Sequence, residues 1–391
     1  MTFITLDNKD WCKGVYHQGQ LHYDKLPDNL TKTWKYAEYL NDRDIVYASL
    51  YVGGKTMSDV CPEHLRDQWE KHTKKLSAYH KSFITSKIDL DENCFFDLVP
   101  EQFLLELCEI KTQIIDWVLE NYQKPANYDL LLEAEKVLNS ISNKKLNIDL
   151  SVLRENRHDN RARTLLDRIK DAKHRVSYNL FGSKTGRLTT NPHTFPILNL
   201  DKEYRSIIKP TNDLFVELDY NAAEIRVLLG LSGQQQPKQD IHDWNAERLG
   251  ITRDQAKKEI FSWLYGSRKI DTKKYESYFG LNKLMEHKYD GFTITSLYGK
   301  KIKTDQFHSL NYLIQSSTTE LFLDQISKIN KILKNKKSFI SFLVHDSVVI
   351  DLAKEDRKLI NNILSTFSNT KLGVFPVNIS AGKDYGQLRK L

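Results

Sequence analysis

The stretch LFVELDYNAAEIRVLLGL, residues 214–231, decides how this chain reads. Leu214 to Leu218 is a short apolar run of strand length, and a helix follows through Ala222 to Leu231. Asp219 therefore stands where a buried strand ends. A second stretch, SFLVHDSVVIDL at 341–352, reads as two strands joined by a polar turn at His345–Ser347, with Asp346 in the turn. A carboxylate at a strand end, with the strand buried behind it, is a rigid platform for a divalent cation. Two such carboxylates on adjacent strands suit a pair of Mg²⁺ ions about 3.5–4 Å apart, which stabilise the attacking and the leaving oxygen of a phosphoryl transfer. Either aspartate alone also fits an ordinary surface turn.

Working outward, TRDQAKKEIFSWLYG at 252–266 places Arg253, Lys257, Phe261 and Tyr265 four residues apart. Each step drifts by only about 40°, so the four share one broad helix face over about 18 Å. The face runs from cationic to aromatic. A nucleoside triphosphate has the same polarity, from phosphates through sugar to a base that stacks. A plain amphipathic helix shows this pattern too.

The 391 residues, 40% hydrophobic and 28% charged, fit two or three globular domains and exclude a disordered chain. No apolar run approaches the ~18 residues of a membrane span, and Met1 to Asp10 lacks the pattern of a secretory signal. Cys12, Cys61, Cys94 and Cys108 form no CxxC pair, so the expectation is no disulfide framework, no zinc ribbon and a reducing cytosol. The net charge is +7, and Arg154 to Arg187 holds ten bases against four acids. Nearly the whole excess lies there. Such a stretch attracts a polyphosphate backbone through counterion release; a solvated helix face is the plain alternative.

In the first 60 residues FITL, GVYH and DIVYASLYV are strand-like. Residues 62–173 read as helical, most strongly at Phe103 to Tyr122 and Tyr128 to Ile141. Residues 240–290 and Asn311 to Leu333 are helical, a helix follows around Leu359 to Phe367, and Pro376 to Ser380 is a last strand. Strands with polar tips, backed by helices, give an α+β fold class.

These motifs, in this order, resemble the DNA polymerase I-like enzymes, family A. DYNAAEIR (219–226) is similar to that family's first palm motif, Arg253 to Gly266 to its nucleotide-binding fingers helix, and LVHDS (343–347) to its second palm carboxylate motif. TGRL at 185–188, DIH at 240–242, and Asn311 with Gln315 agree. The resemblance covers about residues 178–390. It implies a right-hand polymerase with a β-rich segment of unknown role at 1–60 and a helical thumb at 61–175. An antiparallel-sheet palm would occupy 176–232 and 301–391, and reduced helical fingers 233–300. The implied activity is template-directed DNA synthesis on primer–template DNA from deoxynucleoside triphosphates. Asp219 and Asp346, with the Tyr220 carbonyl, would bind two Mg²⁺ ions. Arg253, Lys257 and His242 would contact the triphosphate, and Lys257 would protonate the departing pyrophosphate. Phe261 would lie by the sugar and Tyr265 near the template base. Glu224 would exclude a ribose 2′-hydroxyl. Arg187, Asn311 and Gln315 would touch the minor groove, and His345 the primer end.

Position 347 is Ser, where the family usually has a second acid. HDS is the form of single-subunit phage RNA polymerases, so RNA synthesis on the same scaffold is one alternative; a catalytically weak primer–template binder is another. Glu224, Phe261 and TGRL side with DNA synthesis. Gly299 follows Tyr265 by only 34 positions, hence the reduced fingers. The first 60 residues contain no DxE motif, so no proofreading is expected. The short form suggests a viral or phage-type monomer acting in the host cytoplasm, with any exonuclease or other replication protein on a separate chain.

Overall fold

The computed structural model describes residues 1–40, 43–172, 174–265 and 272–391. The chain divides into two compact units, 1–139 and 140–391. The first unit opens on a three-stranded antiparallel sheet, β1 (Phe3–Thr5), β2 (Gly14–His17) and β3 (Gln20–Tyr23). Gln18 and Gly19 link β2 to β3, both at positive φ, as a two-residue hairpin turn requires. Three long helices follow, α1 (Arg66–Thr85), α2 (Glu101–Asn121) and α3 (Tyr128–Ser142). The apolar face read from α2 is the buried one: Phe103, Leu104, Leu107, Ile110, Ile114 and Val118 all point inward. Ile4 and Tyr16 of the sheet enter the same core. The strands and the first helices are thus one body, and the sequence-expected division at 60/61 falls inside it.

Two expectations are corrected here. DIVYASLYV is not a strand beyond Val46–Tyr47; Ala48–Tyr51 makes a helical turn, which lets Ala48 and Val52, four apart, both enter the core. Cys12 and Cys94 are joined in a disulfide across a Cα–Cα distance of 5.7 Å. They lie 82 residues apart in sequence, so no spacing motif marks them.

In the second unit α4 (Asn160–Asp171) precedes the central strand β4 (Leu214–Tyr220). Helices α5 (Ala223–Leu231), α6 (Ile241–Leu249) and α7 (Arg253–Leu264) come next. A hairpin of β5 (Thr293–Thr295) and β6 (Lys301–Lys303) leads into α8 (Gln306–Ile332). Then come β7 (Phe339–Val344), β8 (Ser347–Leu352), α9 (Ile360–Ser368), β9 (Val377–Gly382) and β10 (Arg389–Lys390). The sheet order is β7-β8-β4-β9-β10, antiparallel throughout. The sequence-expected divisions at 175/176, 232/233 and 300/301 all lie within this unit.

One apolar cluster ties the helices together. Ile225, Leu228 and Leu229 of α5 meet Ile260, Trp263 and Leu264 of α7 and Leu313 and Ile314 of α8. Trp263 stacks on Phe279 at 5.3 Å and 9°. Trp263→Ala should cost about 3–5 kcal/mol, measured by chemical denaturation, because the side chain is buried and its loss leaves a cavity under α7.

Candidate active site

β4 is paired on both sides, with β8 and with β9, and its register sets Asp219 opposite Ser347. Asp346 lies one residue earlier, in the tight β7–β8 turn, where His345 takes a left-handed φ of 55°. β7 is the edge strand. The Tyr178 hydroxyl donates to the Leu343 carbonyl (2.6 Å) and accepts from its N–H (2.8 Å), which fixes the strand beside the turn. The sheet thus brings the two carboxylates together. Burial pushes the Asp219 carboxyl up to about 6, and the nearby Asp346 charge adds to the rise; a hydrogen bond with Asn378 opposes it. Burial also raises Asp346. Tyr220 alternates to the other face, stacks on Phe367 at 4.1 Å and donates its hydroxyl to the Phe367 carbonyl (2.7 Å).

Among the described residues there is no group of three or more His, Cys, Asp or Glu that could hold a metal ion. The donors on offer are two carboxylates and the Tyr220 main chain. Mg²⁺ is commonly held by one or two carboxylates together with substrate phosphates and water, so this sparse set fits it. The burial and the Asp346 charge that oppose ionisation of Asp219 are what a divalent cation would relieve.

A cavity of about 370 Å³ adjoins Asp346. Of the sequence-predicted residues it gathers Arg187, Glu224, Phe261, Tyr265, His345 and Asp346 along its wall. Glu224, in the first turn of α5, is buried. It accepts a hydrogen bond from the Tyr265 hydroxyl (2.6 Å) and forms an ion pair with Arg187. Asp219, Tyr220, Arg253, Lys257, His242, Asn311 and Gln315 do not line this cavity.

The α7 face continues outward from it. A capping box between Thr252 and Gln255 starts the helix. Phe261 and Tyr265 are near-parallel at 6.2 Å, and Phe261 meets the His242 ring at 5.8 Å. Burial lowers the His242 pKa, with the Arg253 and Lys257 charges acting in the same direction. Lys257 is exposed. Arg253 pairs with Asp240 and Asp243, each at 3.3 Å.

Sequence reading missed what positions this group. Arg226 is fully buried, and its guanidinium donates to the carbonyls of Asn221 (2.8 Å), Pro237 (2.9 Å) and Gln239 (3.0 Å). That clamp sets Asp240, which receives the Asn221 amide (3.0 Å) and caps α6 through the N–H groups of His242 and Asp243. Burial pushes the Asp240 carboxyl up, but these hydrogen bonds and Arg253 outweigh it and hold it well below the usual range. The available signal was a charged residue inside the apolar run AAEIRVLLGL.

Asn311 and Gln315 sit four apart on α8, both half-buried. The basic stretch is partly engaged: Arg161 pairs with Glu203 at 2.9 Å, and Arg175 donates to the Ser142 carbonyl at 3.2 Å. Lys173 and Gly266, the expected ends of the helical stretch and of the fingers motif, lie outside the described residues.

The raised Asp219 pKa carries a sign. The metal-free fold binds this proton more tightly than the unfolded chain, so its stability falls as pH rises from about 4 to about 6. The cost above pH 6 is about 2–3 kcal/mol. Asp219→Asn should therefore stabilise the metal-free protein at pH 7.5 by up to that amount, read from urea midpoints, and should flatten the acid limb of the stability curve.

No family model matches the chain. A DNA polymerase of Mycobacterium phage L5 is 22% identical over 178 residues, covering 38% of this chain and 29% of that protein. The chain thus spans less than a third of the curated relative it matches. Among solved structures, the POL domain of Pol1 from M. smegmatis, in complex with DNA primer-template and dNTP, superposes with a TM-score of 0.63. That match covers 88% of this chain and 82% of the other, at 11% identity. In fold, the chain is similar to that DNA polymerase I POL domain.

Proposed function

We propose that the chain is a template-directed DNA polymerase that extends a primer 3′ end with deoxynucleotides. The reading is supported above all by Asp219 on β4 and Asp346 in the turn before the paired strand β8, with Asp346 lining a cavity walled by Glu224, Phe261 and Tyr265. Asp219, Asp346 and the Tyr220 carbonyl would hold Mg²⁺, which supplies charge stabilisation at the attacking and leaving oxygens when bound. Arg253, Lys257 and His242 bind the triphosphate. The exposed Arg253 ion pairs are weak in water, so a triphosphate can displace them. Phe261 lies against the sugar and Tyr265 near the template base. The primer 3′-oxygen bonds to the α-phosphorus, its proton passing to water, while the bond to pyrophosphate breaks and Lys257 gives that leaving group a proton. Positioning and charge carry most of the rate. Glu224, held by Tyr265 and Arg187, fills the space of a ribose 2′-hydroxyl. Arg187, Asn311 and Gln315 reach the minor groove, and His345 lies by the primer terminus. The phage relative agrees with a viral polymerase working in a host cytoplasm, and no described helix is long and apolar enough to cross a membrane.

Primer extension with Mg²⁺ tests the reading. Asp346→Ala should lower the rate by about 10²–10³-fold or more; undiminished extension would remove the metal site. Glu224→Ala should raise ribonucleotide incorporation about tenfold or more while deoxynucleotides are still used. No change in that ratio would mean another residue is the gate. A labelled primer incubated with Mg²⁺ and no nucleotides should stay intact, as expected of a chain without proofreading.

A further inference from the structure

Strand β4 carries another acid, Glu217, two residues before Asp219. Side chains two apart in a strand share a face, so Glu217 stands on the Asp219 side of the sheet. The register extends that face: Ser347 and Asn378 lie opposite Asp219, and Val349 and Ser380 opposite Glu217. Only Val349 among them is apolar. On the other face Leu218, Val348 and Ile379 form an apolar row at the same level. The polar side of the sheet is the side that holds Asp219.

Glu217 is half-buried and its charge is poorly matched. The side-chain donor that reaches it is the Ser347 hydroxyl at 3.3 Å, whose single proton is shared with the Val344 carbonyl at 3.0 Å. The Arg205 charge acts on Glu217, yet among the described residues the two form no ion pair, and the buried Arg205 Nε has no hydrogen-bond partner. A carboxylate drawn partly out of water and met by one shared, neutral donor keeps uncompensated charge. That charge also acts on Asp219. A second observation points the same way. Tyr385 is 3% exposed, the charges of Glu217 and Asp219 both act on it, and its hydroxyl has no hydrogen-bond partner.

We propose that Glu217 is a positioning residue of the metal site, holding a Mg²⁺ ion beside Asp219 and Asp346 through one of the ion's own waters. The proposal rests on the polymerase reading above and adds a residue to its metal site. Among the described residues the three acids do not gather into one ligand set, so Glu217 acts from the outer shell. Mg²⁺ keeps several of its waters, and outer-shell partners set how tightly it is held. Ser347 is the link: it pairs with Asp219, follows Asp346 in the chain and ties Glu217 to both. The Tyr385 hydroxyl is a spare partner for the same water.

The test reads ion binding rather than synthesis. Mn²⁺, standing in for Mg²⁺, is titrated into the full chain, and the free ion is counted by electron paramagnetic resonance. Glu217→Gln keeps the shape and an oxygen for the Ser347 hydroxyl but removes the charge, and should weaken Mn²⁺ binding about tenfold. Glu217→Ser combined with Ser347→Glu carries the acid across the ladder to β8 and should recover most of the loss. Urea midpoints show that each variant is folded. A Glu217→Gln chain that binds Mn²⁺ as the unaltered one does, or a folded exchange variant that binds no better than Glu217→Gln, would overturn the role of Glu217 with the polymerase reading intact. Mn²⁺ binding indifferent to Asp346→Ala would instead overturn the metal site on which the polymerase reading stands.

Discussion

Two acids of like charge, Asp219 at the end of one strand and Asp346 in the turn beside it, are kept close and half out of water, and the rest of the second unit is arranged to keep them so. β4 is hydrogen-bonded on both edges, so Asp219 cannot shift without breaking two ladders. Asp346 rides on a tight turn whose edge strand is fastened by the Tyr178 hydroxyl. Burial and the Asp346 charge oppose ionisation of Asp219.

A second constraint lies in α5. Arg226 buries a guanidinium and satisfies it with three main-chain carbonyls and the Asn221 side chain. A charge taken out of water persists only when its donors are matched. Here the matching has a geometric result. The clamp holds the chain from Pro237 to Gln239, which sets Asp240, the cap of α6 and a partner of Arg253. The cationic end of the α7 face therefore takes its place from a residue one turn into α5, and its aromatic end from the Glu224–Tyr265 hydrogen bond on the same helix. One short helix indexes the carboxylate strand and the α7 face to each other.

Local periodicity was readable wherever one pattern dominated. β4, the β7–β8 hairpin, α2 and α8 lie close to where apolar spacing puts them, since buried strands and one-sided helices leave the plainest signal. DIVYASLYV failed because aromatic and β-branched residues favour strands locally, whereas burial of Ala48 and Val52 in a common core decided for a helical turn. The β5–β6 hairpin went unread: Lys301 and Lys303 flank a single buried Ile302, too short an alternation to stand out. Asp219, Asp346 and the α7 series stood out through motif and spacing. Arg226, Asn221, Asp240 and Tyr178 were not, because each acts through partners that spacing alone does not reveal.

By itself the sequence determined which residue types face which way: acids at strand ends, cations and rings along one helix, apolar faces to bury. These follow from the two-residue and 3.6-residue repeats and need no knowledge of distant partners. Tertiary structure alone decided the pairings. It set Asp219 beside the turn that carries Asp346, closed Glu224 between Arg187 and Tyr265, and joined Cys12 to Cys94. Strand register and helix packing bring together residues that share no local repeat, so contacts between distant segments exist only once the whole core has formed.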